Sequence, residues 1–172
     1  KGDKATQMFF AETQNKLLYA VTHQTAAELI VSRADATQPN MGLTTWKGSI
    51  VRKGDVIIAK NYLQTEEIDS LNRLVDIFLT SAEERVKGRR DLTLDYWRKN
   101  VDSLLTFQEK DILQGTGSIT NYEAEEAAKQ VYDVFNTKRK QMEAQAADAD
   151  DLKLLEDLEK RVLEQEDNKD NK

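Results

Sequence analysis

The chain has 172 residues, of which 39% are hydrophobic and 33% charged, with a single proline and a formal net charge of -6. That length carries one domain with a real core, and the composition is that of a helical protein with solvated outer faces. The absence of cysteine excludes disulfides and thiolate metal sites, no apolar run approaches the ~20 residues of a membrane span, and the acidic balance disfavours non-specific nucleic-acid binding, which draws its affinity from phosphate neutralisation.

These totals predict a cytoplasmic domain with no cofactor and no metal. The first residue is Lys1 rather than methionine, so a fragment is expected. Basic clusters at Arg85-Lys87-Arg89-Arg90 and Lys138-Arg139-Lys140 have acids nearby and read as cations near helix C-termini.

In chain order, the spacing of Phe10, Leu17, Ala20 and Val21, with Phe9 and Leu18 beside them, predicts a helix from about Ala5 to Val21. Gln14 and Asn15 read as its wet face, with hydrogen bonding to a neighbouring loop as the alternative. His23, the single histidine, has no ligand-spaced partner and reads as a helix-end residue. Thr25-Ala26-Ala27-Glu28 is a capping box that starts a second helix through Leu29, Ile30 and Val31 to Arg33.

Pro39-Asn40-Met41-Gly42-Leu43-Thr44-Thr45-Trp46-Lys47-Gly48 has no helical or strand period. Its apolar Met41, Leu43 and Trp46 are expected to pack inward or onto a partner, and Gly42 to take a positive φ. Between Ser49 and Leu63 two readings compete. Asp55 caps a helix through Leu63, which is preferred, or Ile50-Val51 and Val56-Ile57-Ile58 form a short β-hairpin near 49–58.

Thr65-Glu66-Glu67 opens a long helix with a stripe of Ile68, Leu71, Val75, Phe78, Leu79, Ala82 and Val86. It is expected to be central, with Asn72 partly buried and Gly88 as its stop. Thr93 caps the next helix, whose face runs Leu94, Trp97, Val101, Leu104, Leu105 and Ile112. Gln114-Gly115-Thr116-Gly117-Ser118 is the clearest break and, lacking a following lysine, is not a phosphate loop. Ser118 or Thr120 then starts a helix to about Met142. Asp148, Asp150 and Asp151 lack the glycine and glutamate of a calcium loop and read as favouring the start of a last helix, Leu152 to Leu163. Glu164 to Lys172 reads as disordered. The expected fold is mainly α, an irregular multi-helix bundle with one long central helix. Residues 1–145 form the helical domain and 146–172 a C-terminal helix and charged tail.

From about Phe9 to Gln114 the chain resembles the virulence-associated RhuM family of bacteria. The matching segments are Gln14-Asn15-Lys16-Leu17, Gln24-Thr25-Ala26-Ala27-Glu28-Leu29-Ile30, Arg33-Ala34-Asp35, Pro39 to Gly48, Ala59-Lys60-Asn61-Tyr62-Leu63, Leu71-Asn72-Arg73, and Thr93 with Trp97. The resemblance fades after Gly115. It implies that this chain corresponds to a C-terminal domain, whose N-terminal companion resembles a winged-helix or phage-antirepressor DNA-binding module. It carries over no catalytic chemistry. His23 stands where the family more usually has glycine.

The leading expectation is therefore a non-catalytic interaction or effector-sensing domain of a bacterial DNA-associated protein. Its partner would be an unidentified protein or a small anionic ligand, with DNA contacted only through a part absent from this chain. Candidate ligand contacts are Arg33, Asp35, Asn40, Thr44, Trp46, Lys60 and Asn61, with Arg33 and Lys60 supplying charge. Two alternatives compete with it. One is an enzyme acting on a nucleotide, nucleic acid or protein through Glu28, Asp35 and Lys60. The other is a homo-oligomerisation module built on the last helices.

Overall fold

The computed structural model describes residues 3–90 and 93–170, with side chains through 161. Five α-helices follow one another: α1 (Lys4–Thr22), α2 (Ala26–Arg33), α3 (Thr65–Lys87), α4 (Leu94–Phe107) and α5 (Asn121–Asp170). Among the described residues there is no strand, so the fold is mainly α. The chain divides into two compact units, Lys1–Tyr132 and Asp133–Lys172.

In the first unit α1 packs on α3 and on α4, and α2 packs on a short 3₁₀ turn, Ala59–Tyr62. The buried line of α1 is Phe9, Thr13, Leu17, Leu18 and Ala20. Phe10, expected on that line, is instead 62% exposed and its neighbour Phe9 is buried, while Leu17 and Ala20 are buried as expected; the paired phenylalanines could not reveal which of them faces inward. The helix ends where His23 takes a left-handed conformation, φ 57°, and its N–H donates to the Tyr19 carbonyl. Glycine meets no steric cost there, which accounts for the glycine that the resemblance expects at this position.

The capping box of α2 forms as its sequence predicts: Glu28 N donates to Thr25 Oγ1 and Thr25 N to Glu28 Oε2 at 2.8 Å. The expected mid-helix amide of α1 has a structural task. Asn15 Oδ1 accepts from Ala26 N at 3.1 Å, satisfying an unpaired amide of the first turn of α2.

The stretch 49–58 is neither the preferred helix nor a hairpin. It is a chain of turns gathered by Asp55. Asp55 Oδ2 accepts from Arg52 N at 2.9 Å, Oδ1 from Lys47 N at 3.4 Å, and its own N–H donates to the Arg52 carbonyl. A carboxylate that takes backbone donors offers the chain an alternative to helix or ladder bonding. Val51 and Val56 are left pointing into the core on either side of it.

Helix α3 begins after Gln64, whose N–H donates to Glu67 Oε2. Leu71 and Leu74 are its buried residues, whereas Leu79, Val86 and Asn72 are exposed. Thr93 Oγ1 caps α4 by accepting from Tyr96 N. That helix stops at Phe107, with Glu109 left-handed at φ 53°, so Ile112 lies beyond it rather than on its face. Phe78 of α3 and Trp97 of α4 meet edge to face at 5.1 Å, and the Arg85 guanidinium stands 3.5 Å above the Tyr96 ring. Between α1 and α4, Lys16 Nζ reaches Asp102 Oδ1 at 2.6 Å.

Thr120 rather than Ser118 caps α5, exchanging hydrogen bonds with Glu123. Ala124 and Ala128 are buried in the first unit. The helix then continues past Met142, through the stretches read as a new start and as disordered, without a break to Asp170. No proline or glycine interrupts it. Lys138, Arg139 and Lys140 therefore lie inside a helix, not at its end. Leu152, Leu154, Leu155 and Leu158, in the second unit, are all exposed. The side chains of Val162 and Leu163, together with Asn171 and Lys172, lie outside the described residues.

Candidate ligand-binding cleft

Residues 39–48 act first as a clasp. Met41 and Leu43 are buried. Asn40 and Met41 are both left-handed, at φ 52° and 60°, and Gly42 follows at φ 79°. A Cβ on Gly42 would stand 2.5 Å from the Arg33 carbonyl oxygen, so this position needs glycine for space as well as conformation. Thr44 then grips the Ala59–Tyr62 turn: its N–H donates to the Asn61 carbonyl at 2.7 Å and its hydroxyl to the Leu63 carbonyl at 2.6 Å.

The turn is held from three further directions. Asn61 Nδ2 donates to the Asp55 carbonyl at 2.9 Å. Tyr62, fully buried, donates its hydroxyl to the Val56 carbonyl at 2.8 Å, and burial pushes its pKa up. Arg33 Nη1 donates to the Tyr62 carbonyl at 2.8 Å, while its two terminal nitrogens take the Glu67 carboxylate in a fork at 2.6 Å each. This pairing holds the Glu67 carboxyl below the usual range and raises the Arg33 pKa. The guanidinium proposed as a ligand contact is already matched by an internal anion.

Lys60 is the member of the turn left facing outward. It is exposed and makes no ion pair among the described residues. It lines a cleft of about 360 Å³ between α1, α2, the turn and the start of α5, and its other polar walls are Gln14, Asn15, Asn121 and Glu125. Ile30 and Ile57 supply apolar wall. Glu125 also pairs with Lys129 at 3.4 Å. The arrangement offers one cation, three neutral amides and one carboxylate already paired with Lys129 at the edge of an apolar floor, which suits hydrogen-bonded recognition of a small ligand.

Of the seven residues expected to touch a ligand, Lys60 alone lines this cleft. Arg33, Thr44 and Asn61 are engaged in the clasp. Asp35 Oδ1 accepts from Thr37 N and Oγ1 at 2.8 and 2.7 Å. Asn40 is exposed and Trp46 half-buried, both outside the cleft walls. The enzyme alternative needs Glu28, Asp35 and Lys60 together. Glu28 instead binds Thr25 and, through Oε1, both the N–H and the hydroxyl of Ser118 at 2.7 Å. These donors hold its carboxyl at about 2. The glycine-rich break thus does hold an anion, and the anion is the protein's own Glu28. A Cβ on Gly117 would come within 2.7 Å of Thr25 Cγ2.

Sequence reasoning weighed Gln14 and Asn15 for hydrogen bonding to a loop but not as ligand contacts, and passed over Asn121 and Glu125. The signal available for the first two was their place in a segment that carries the family resemblance, as does Lys60. Asn121 and Glu125 had none, because their helix joins the cleft only through tertiary packing. His23 Nδ1 lies 3.3 Å from Asp111 Oδ2, both exposed and away from the cleft. Among the described residues no group of three or more His, Cys, Asp or Glu is placed to hold a metal ion, and no helix is long and apolar enough to cross a membrane.

No curated protein and no solved structure gives a significant match. The sequence profile of the Virulence protein RhuM family matches residues 1–143, well past the Gln114 at which the resemblance read from the sequence ends. The match covers the whole cleft, including its α5 wall, and the chain belongs to the Virulence protein RhuM family.

Proposed function

We propose that this chain is a non-catalytic, effector-binding domain of a bacterial DNA-associated protein, and that its effector is a small anionic molecule held at the Lys60 cleft. The observation that carries this reading is the contrast between Lys60 and the other charged candidates. Arg33, Glu28 and Asp35 are each occupied by internal hydrogen bonds, whereas Lys60, on a hydrogen-bonded turn, makes no ion pair among the described residues and stands beside three side-chain amides, the cleft's one carboxylate, Glu125, being paired with Lys129. An ammonium without an internal anion is suited to binding one from outside. The loop 39–48 and Asn61 would then position the site, and the candidate acid–base residues would serve the fold. The DNA association rests on the family resemblance alone.

Calorimetry and thermal shift against nucleotides, amino acids and dicarboxylates test this. Lys60→Ala should weaken the binding of any hit by about tenfold or more and leave the melting temperature unchanged. Arg33→Ala should lower the melting temperature while binding persists below it. Binding unchanged by Lys60→Ala and Gln14→Ala would defeat the assignment.

A second role, self-association through the unit Asp133–Lys172, is favoured by the exposed Leu152, Leu154, Leu155 and Leu158. Leu155→Lys with Leu158→Lys should lower the mass seen by light scattering; an unchanged mass removes this reading.

A further inference from the structure

A second hollow borders the same lysine. Between α1 and α3 lies a groove of about 260 Å³ walled by Phe10, Leu17, Leu71, Val75, Phe78 and Leu79. Gln14 and Lys60 border it too, so these two stand in the wall shared with the polar cleft. Lys60 is the single charged side chain among the groove's walls. Two of those walls are open to water, Phe10 at 62% and Leu79 at 51% exposure. From Leu71 to Leu79 the groove follows nine residues of α3, eight rises or about 12 Å of helix.

We propose that the α1–α3 groove binds a single-chain anionic amphiphile of the medium-chain carboxylate class. Its carboxylate meets Lys60 and Gln14, and its hydrocarbon lies along Leu17, Val75 and Phe78. The chemistry of the walls selects this occupant. An apolar trough removes hydrocarbon from water. A polar ligand laid there would leave its hydrogen-bonding groups unmatched. One ammonium, a compact point charge on a flexible stem, matches one carboxylate. A docked helix from another protein needs anchor pockets repeated over successive turns, whereas this is one hollow with one cation. The inference deepens the proposed function and rests on Lys60 facing ligand.

The full chain carries its own reporter. Phe78 lies in the groove wall and its ring is 5.1 Å from that of Trp97. In a Trp46→Phe background Trp97 is the one remaining tryptophan. Octanoate and decanoate, kept below micelle formation, should change its emission saturably. Octanol should bind about tenfold more weakly, and acetate should give no change. Lys60→Ala should weaken octanoate by about tenfold and leave octanol unaffected. Leu79→Glu, at the exposed lip, should abolish the response at an unchanged melting temperature. Equal binding of octanoate and octanol, or octanoate binding indifferent to Lys60→Ala, overturns the proposal. If octanoate has no effect but a polar anion binds with Lys60 dependence, the amphiphile is wrong and the effector-binding reading stands. If no anion binds at all, both fall.

Discussion

The segment between α2 and α3 and the distal part of α5 are opposites. Residues 34–63 have almost no regular secondary structure, yet Met41, Leu43, Val51, Val56, Tyr62 and Leu63 within them are buried. Beyond Tyr132, α5 is unbroken helix to Asp170, yet Leu152, Leu154, Leu155 and Leu158 are exposed. Regular backbone and core membership are therefore separate properties here. A helix satisfies its backbone hydrogen bonds by itself and continues wherever no residue stops it. An irregular segment must find partners for its backbone elsewhere, and here it finds them in Thr44, Asp55, Asn61 and Arg33.

The sharpest way to break the contrast is to truncate large side chains on both sides of it. Tyr62→Ala should cost about 3–5 kcal/mol in denaturant unfolding, because a fully buried aromatic is replaced by a cavity. Leu155→Ala should fall within about 0.5 kcal/mol. Comparable effects at the two sites would mean that the distal helix is packed after all.

Gly42→Ala comes next, at about 2–3 kcal/mol. It combines a left-handed backbone with a Cβ placed 2.5 Å from a main-chain oxygen that cannot easily move. Gly48 also has a positive φ, of 88°, but open space around it. Gly48→Ala should cost only about 1 kcal/mol, so the difference between the two measures the clash alone.

Glu67→Gln should cost about 2 kcal/mol by halving the Arg33 fork, both partners being about a quarter or less exposed. Comparing it with Arg33→Ala, and with the double variant, would show how much of the clasp runs through this pair.

Glu28→Gln should cost less than Glu67→Gln, about 1–2 kcal/mol. Its pH dependence identifies it. The folded carboxyl titrates at about 2, against 4.5 for the ordinary value. The folded form thus binds its proton less readily than the unfolded form, and the contribution is complete above pH 4.5. It is lost as pH falls through about 2. The difference in stability between wild type and Glu28→Gln should therefore shrink between pH 4.5 and pH 2. A difference constant over that interval would mean that Ser118 does not hold the carboxylate in solution.

Some of this was legible in the residues. Thr25 with Glu28 specified a capping box because each side chain needs only its own first turn. Gly42 and Gly88 were visible as breaks, and the stripe of α3 announced a helix. Asp55 misled, because a carboxylate before an apolar run reads as a helix cap until one knows that the amides of Lys47 and Arg52 reach it first. Phe9 and Phe10 could not be told apart, since neighbouring phenylalanines both fit one amphipathic pattern and packing chooses between them.

The sequence by itself determined that the chain is helical, where most helices begin, and that residues 39–48 are a glycine-dependent loop with apolar anchors. All of these follow from interactions within a few residues. Tertiary structure alone decided that Arg33 closes on Glu67, that Glu28 reaches Ser118 ninety residues away, and that Lys60 remains open between two hollows. The free energy of a charge depends on which partner arrives beside it, and that is set by chain segments far apart in sequence.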